Sequence, residues 1–557
     1  MKLNYWRTLK VGLAFAVIQV FWTAYDYVVP LLLENTFGLS NSLRGLIMGA
    51  DNLLSLFLLP LFGKLSDKTN TKWGRRTPFI VLGTIASVII MIFVPITSNA
   101  QLDDALDLRA SIMATDVPGY TYTDHEGKVY DAEAIYTMLY TEGAHNSDYC
   151  DRDYFDSFGG GEDKVGTLEE YLQIALNPKD AEGNYTQEYN SYVKSGLNSY
   201  ATDQVFQKIT KGNLTPLILY MVVLLLVLIA MATFRSPAVA LMPDVTPKPL
   251  RSQANAMINL AGGAGGAVAF LIYTITFMIN PYGYMAIFIA VACAMLILLA
   301  CYLVFVKEPV LFKECQDICA EYGISNDDDD EEPIDEEKEA KIALEGNKGK
   351  KARMISFMLI LASIFMWFMG YNAISSNLSI YITKTLGQSA GIGGIISGVS
   401  MGVSAVAFIP VGWLAVKIGR RKSIMLGFGL AFISYLLIFL FAATPSPYAV
   451  YLYCVFYLIA GFGLIIGNVN TFPMVVELSS NATIGKYTGL YYTATMSAQA
   501  ITPFIAGLIM DEWGTKYLFL YSVICVIISI ALMFFVRHGD SKAVPPKSKL
   551  ELLGADD

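Results

Sequence analysis

At 557 residues, with 54% hydrophobic and only 16% charged side chains, the chain exceeds the usual size of one soluble domain and is too apolar for an ordinary water-facing surface. Its formal charge of -9 comes mainly from two acidic segments outside the apolar runs, so it gives no indication of nucleic acid as a partner. Seven scattered cysteines without a C-x-x-C pair and three histidines indicate neither a disulfide framework nor a structural metal.

Crossing a bilayer takes about 20 largely apolar residues per helix. The first such run, Trp6 to Leu33, is too long for a signal-peptide core and lacks a small-residue cleavage site, which predicts a retained helix. Spans follow at Leu43 to Phe62 and Pro78 to Ile96, completing a first block over 1–97. Residues 98–213 form a large polar insert with 21 acidic and 8 basic side chains. Its tyrosines and apolar clusters are compatible with a small folded cap or with a solvated loop. Spans at Leu214 to Leu241, Ser252 to Ile279 and Tyr284 to Val306 complete a first set of six within 214–306. The stretch 307–353, with Asp327 to Glu332 unbroken, lacks the apolar residues of a core and reads as a flexible acidic linker. Six more spans fill 354–537: Ile355 to Tyr381, Gly391 to Val416, Ser423 to Phe441, Tyr448 to Thr471, Tyr487 to Met510 and Tyr517 to Val536. Residues 538–557 are a short tail. Loops after the even-numbered spans are basic, with Lys64, Lys68, Lys72, Arg75 and Arg76, then Lys248 and Arg251, then Lys417, Arg420, Arg421 and Lys422. The positive-inside rule then puts both termini in the cytoplasm and the insert outside a multi-pass cell membrane protein.

The two sets of six echo one another. Gly63, Asp67, Gly74, Arg75 and Arg76 follow the second span, and Gly412, Gly419, Arg420 and Arg421 follow the eighth. Trp22 with Tyr25 and Asp26 is mirrored by Trp367 with Tyr371 and Asn372, and Asp244 at the end of the fourth span by Glu477 at the end of the tenth. Clustered arginines beside acids, with Arg251 at the start of the fifth span, can pair with carboxylates and helix ends on a neighbouring domain and latch one state of a two-state machine. A plain orientation signal is the simpler alternative.

The loop pattern Gly-x-x-x-Asp-Lys/Arg-x-Gly-Arg-Arg/Lys resembles that of the major facilitator superfamily. More narrowly, Leu65 to Ile80, and Arg235-Ser236-Pro237 through Asp244 to Ala256, resemble the sucrose:proton symporters and their bacterial relatives. The Trp73-Gly74-Arg75-Arg76-Thr77-Pro78 stretch is also similar to the glycoside-pentoside-hexuronide:cation symporters. The resemblance implies an all-α membrane protein of twelve transmembrane helices in two pseudo-symmetric six-helix bundles, alternating access, and symport of a saccharide with a proton. The long insert and Val416, where the second loop motif expects an acid, depart from the pattern.

No Gly-x-x-x-x-Gly-Lys-Ser/Thr loop is present, so direct use of ATP is not expected. Neither is catalysis or a cofactor: the expected partners are a small polar solute, a coupling cation and lipid, with the chain acting as a monomer. A gradient-driven carrier needs ionisable groups inside the membrane, where their cost marks them as functional. Asp51 near mid-span is the first candidate, with Asp26, and Arg235 requires an anionic partner that either acid could supply. Gln19, Trp22, Tyr25, Asn255, Asn259, Tyr371, Asn372, Asn377, Asn468, Asn470 and Gln499 supply the amides and aromatic platforms that saccharides favour. Each is equally suited to hold helices together. Ala261 to Gly266 lies within a span and reads as close helix packing. Two rivals stand beside proton-coupled uptake: sodium-coupled glycoside symport, and a membrane sensor using the insert.

Overall fold

The computed structural model describes residues 3–150, 167–186, 188–247, 250–322, 347–399, 417–442, 448–478 and 484–538. A short helix α1 (Tyr5–Val11) leads through Gly12 into α2 (Leu13–Phe37), so the first predicted span begins later than Trp6, whose side chain is exposed. Next come α3 (Asn41–Asp67) and α4 (Thr77–Met113). With 37 residues at 1.5 Å each, α4 is about 55 Å long, nearly twice the hydrocarbon thickness. It runs straight through the expected boundary at residue 97, and its last turns become the first element of the insert.

The insert has its own core. A hairpin of β1 (Tyr122–Thr123) and β2 (Val129–Tyr130) is followed by α5 (Ala132–Glu142) and α6 (Leu168–Leu176). Thr167 and Glu170 close a reciprocal capping box at the start of α6. Then α7 (Ser195–Gln204) continues at both ends into wider turns, Tyr189–Lys194 and Val205–Thr210. Ile112, Ile135, Leu139, Tyr136, Tyr171, Val193 and Leu197 pack together in its interior. The folded-cap alternative therefore describes these residues better than a solvated loop.

The first set continues with α8 (Thr215–Asp244), α9 (Arg251–Ile279) and α10 (Tyr284–Phe305). The expected linker opens with a helix, α11 (Glu308–Glu321), instead of flexible chain. The second set comprises α12 (Asn347–Lys384), α13 (Ala390–Val399), α14 (Arg420–Leu437), α15 (Ala449–Glu477), α16 (Ile484–Trp513) and α17 (Leu518–Phe535). Among the described residues eleven helices are long and apolar enough to cross a membrane. Most of the predicted eighth span, including Gly412 and Val416, lies outside the described residues.

Close approach of the helices follows from small residues. A Cβ on Gly12 would meet Ala261, one on Gly262 would meet Phe15 and Gln19, and one on Gly265 would meet the backbone of Ala16. The glycine run of α9 is thus the surface on which α2 lies. Between the halves, Gly45 and Gly49 of α3 abut the backbone of Pro503 and Ala500 in α16, and Gly507 abuts Asn41. Exposed apolar side chains such as Phe57, Ile218, Leu271 and Ile297 cover the outside, as a lipid-facing surface requires.

Candidate functional site

Three charges sit at depth in the first half. Asp26 is about 16 Å along α2 from Phe37, Asp51 about 15 Å along α3 from Asn41, and Arg235 about 14 Å along α8 from Asp244. Each is far from either helix end, where water cannot be reached by snorkelling alone. Their charges act on one another. Asp26 is exposed although Tyr25, Tyr27 and Val28 beside it are buried, so its carboxylate is reachable in mid-helix. Asp51 is buried and accepts a hydrogen bond of 2.9 Å from Asn52 Nδ2.

Arg235 does not form the contact ion pair that its need for an anion suggests. Its guanidinium lies 5.1 Å from the centre of the Trp22 ring, and among the described residues no carboxylate comes within ion-pair distance of it. The ring face and, through space, the two aspartates act against the cost of burying this charge. Trp22 is half-buried and meets Tyr25 edge-on at 5.3 Å. The indole Nε1 of Trp22 and the hydroxyl of Tyr25 are buried without a partner, donors left for something that enters the space beside Asp26. Gln19 is half-buried one turn away and faces the α9 glycines, near half-buried Asn259 and buried Asn255.

The second half contributes less uniformly. Tyr371 and Asn372 are half-buried, and Asn372 Nδ2 lacks a partner. Gln499 is half-buried next to Ala500, where α16 meets Gly49 of α3, two residues from Asp51. Asn377 and Asn470, by contrast, are buried and donate to Ala373 and Ile466 carbonyls of their own helices, so they stiffen helices and do not present amides to a ligand. The side chain of Asn468 lies outside the described residues. The repeat also diverges at its aromatic: Trp367 is fully buried against Phe428 at 4.3 Å, whereas Trp22 carries Arg235. Sequence reading missed Tyr273, which stacks on Tyr27 at 4.5 Å and lies near enough to sense Asp26.

At the basic-loop end, Arg76 is a hub. Its Nε donates to Asp244 at 2.7 Å, Nη2 pairs with Asp67 and Nη1 with Ser66, both at 2.5 Å, while Arg75 reaches Asp244 at 2.9 Å. Burial alone would lower the pKa of Arg76, but Asp244 and Asp67 outweigh it and raise the pKa above the ordinary arginine value. Arg251 donates to the carbonyls of Pro243 and Thr246 at the end of α8. Gly74 takes φ +104, and the position that a Cβ would occupy is filled by the Glu308 carboxylate, two separate reasons for glycine here. In the second half Arg420 pairs with Glu477 at 2.9 Å, Gly419 takes φ +93, and Arg421 reaches the Phe534 carbonyl. The contacts just described fasten helices within their own half. Gly63 packs on Ser236.

Glu308 was hidden in the presumed linker. Buried at the start of α11, it accepts the backbone N–H groups of Arg75, Arg76 and Thr77 at 2.7–3.1 Å and the Thr77 hydroxyl at 2.7 Å, so it caps α4 from outside. The available signal was an acid followed by Pro309 directly after an apolar span. Glu308→Ala is expected to cost about 3 kcal/mol, because buried donors lose their acceptor. Thermal unfolding of the detergent-solubilised protein checks this; an unchanged midpoint would contradict it.

At the opposite end the sequence reading missed a charged junction between the halves. Glu34 (α2) pairs with Arg44 (α3) at 2.5 Å and with Lys384 (α12) at 3.0 Å, all nearly buried. Asp511 (α16) accepts from the N–H groups of Asn41 and Ser42 at 2.7 and 2.9 Å, and the Tyr27 hydroxyl donates to the Ala390 carbonyl at 2.6 Å. Among the described residues, the hydrogen bonds and ion pairs joining the two halves cluster at this end.

Comparison with known proteins agrees with this architecture. The family model described as Major Facilitator Superfamily matches residues 212–494 and 360–555. The chain belongs to the Major Facilitator Superfamily. As a member of that superfamily it is a multi-pass membrane transporter of a small solute, not an enzyme. A second model, MFS/sugar transport protein, matches residues 11–114, which carry Asp26, Asp51 and the Arg75–Arg76 loop. Proton-associated sugar transporter A of Mus musculus is 31% identical over 87 residues, 15% of this chain, as is its Rattus norvegicus counterpart; the match spans only 11% of the length of these curated relatives. Among solved structures, a bacterial homolog of the lysosomal transporter Spinster, inward-facing and occupied, has a TM-score of 0.55 at 14% identity, covering 96% of this chain and 97% of that one. The inward-open xylose transporter of E. coli has a TM-score of 0.52 at 15% identity, covering 99% of both chains. These structural likenesses show the shared fold.

Proposed function

We propose that this transporter couples uptake of a saccharide, such as a disaccharide or glycoside, to the inward movement of a proton by alternating access. The observation that carries the reading is Asp26: an accessible carboxylate in mid-helix, flanked by unpartnered donors of Trp22 and Tyr25 and sharing its field with Asp51 and Arg235. An aromatic face with polar groups around it suits a sugar ring, and a titratable acid beside it suits a coupled proton. The sugar-transport description of the second family model and the name of the mammalian relatives support the same choice.

With the basic loops in the cytoplasm, the insert and the tight junction between halves lie outside, and an arrangement closed at that end corresponds to an inward-open state. The route lies within one chain, so a monomer in the cell membrane suffices. Protonation of Asp26 or Asp51 releases the electrostatic hold on Arg235 and changes the stability of the inward-open state, which couples cation to solute. Sodium-coupled glycoside transport uses the same carboxylates and is the second reading. A sensor with a passive bundle gives no role to the charges at depth.

The test is uptake of a panel of labelled saccharides into proteoliposomes under an imposed pH gradient or an imposed sodium gradient. Accumulation driven by the pH gradient alone is the expected result. Accumulation driven only by sodium selects the second reading, and no accumulation of any saccharide under either gradient rejects sugar symport.

A further inference from the structure

We infer that the insert is a clamp on the seam between the two halves, so that the insert, and not the membrane helices alone, sets how readily this end opens. The inference rests on the alternating-access reading above.

The insert belongs to the first half by more than chain connection. Arg109, on the extension of α4, is buried and donates to the Glu34 carbonyl at 3.0 Å, the Asn35 carbonyl at 3.4 Å, Asn198 Oδ1 at 3.1 Å and Thr202 Oγ1 at 3.0 Å. One guanidinium thus ties the end of α2 to α4 and α7. From this fixed body the insert crosses to the second half in two places among the described residues. Asp148 accepts the Thr515 N–H at 2.6 Å and the Thr515 hydroxyl at 2.8 Å, beside Ser147, whose hydroxyl donates to the Trp513 carbonyl at 2.7 Å. Ser195 donates to the Lys384 carbonyl at 2.8 Å, the same residue whose ammonium pairs with Glu34.

Lys384 is therefore held twice, by its side chain to the first half proper and by its backbone to the insert. Opening the seam separates Lys384 from Glu34, Asp511 from the start of α3, and Thr515 from Asp148 together. Charge-assisted bonds are the stronger kind, and three of these contacts use a carboxylate. A clamp of this sort biases the equilibrium toward the state closed at the insert end without touching the solute.

The experiment reads accessibility, independent of any substrate. A cysteine is placed at position 26 and its modification by a membrane-impermeant thiol reagent, applied from the insert side of oriented vesicles, is followed by mass spectrometry of that peptide. Lys384→Met and Asp148→Ala are each expected to raise the labelling rate several-fold. In a second arm, Asp148→Cys with Thr515→Cys is joined by a short bifunctional thiol reagent that can be cleaved by reductant; joining is expected to abolish labelling from the insert side and cleavage to restore it. The second arm needs the folded contact to form, so it stands even if a single variant fails to fold. Equal labelling of joined and cleaved protein overturns the clamp. Labelling that responds as expected, while the same protein with Asp26 intact moves no saccharide, rejects the proposed substrate and leaves the clamp intact.

Discussion

Asp26→Asn is expected to abolish gradient-driven accumulation while leaving counterflow, the exchange of solute across vesicles without a gradient, within about two-fold of the unmodified protein. The amide keeps the size and hydrogen-bonding reach of the side chain but cannot take up and release a proton, so binding and the rocking motion survive and coupling does not. Asp51→Asn is expected to do the same, since the buried carboxylate shares the field of Arg235. Paired assays of accumulation and counterflow check both variants. Accumulation that persists at the original level in each would remove the acids from the coupling role.

The second large effect is expected at Arg76. Arg76→Ala leaves the half-buried Asp244 with only Arg75 and removes bonds to Asp67 and Ser66, so about 3–5 kcal/mol of stability is lost, in the range of a broken buried pair. Arg76→Lys keeps the charge and is still expected to lose a large share, because an ammonium cannot serve three acceptors in the planar fork that Asp244, Asp67 and Ser66 occupy. Thermal unfolding in detergent, compared with Arg420→Lys, checks the claim. Arg420 has one carboxylate partner, Glu477, and one long bond to the Pro473 carbonyl, so its conservative replacement is expected to cost less. Equal losses at the two positions would show that the loops are equivalent.

Hydropathy located the membrane helices because the lipid-facing side chains are a property of each segment alone. It could not see that α4 continues past residue 97, since apolar character reports where a helix leaves lipid and not where its hydrogen bonding ends. The depth of Asp26, Asp51 and Arg235 was equally legible from position in a span. Their mutual geometry was not: the sequence asks for a partner for Arg235, and only the packing of α8 on α2 replaces a contact ion pair with the Trp22 face. Asn377 and Asn470 looked identical to Asn372 in the chain, yet helix rotation turns the first two onto their own backbones. Glu34 and Lys384 lie 350 positions apart at span ends, where single charges read as ordinary boundary residues. Their pairing exists only when the halves meet. Glu308 likewise gains meaning from the loop that it caps, far away in the chain.

The most direct test is the pH outside de-energised proteoliposomes when a transported saccharide is added. The account predicts a transient external alkalinisation that scales with sugar entering the vesicle and is absent from Asp26→Asn. Sugar influx at the normal rate with no pH change in the unmodified protein would contradict it.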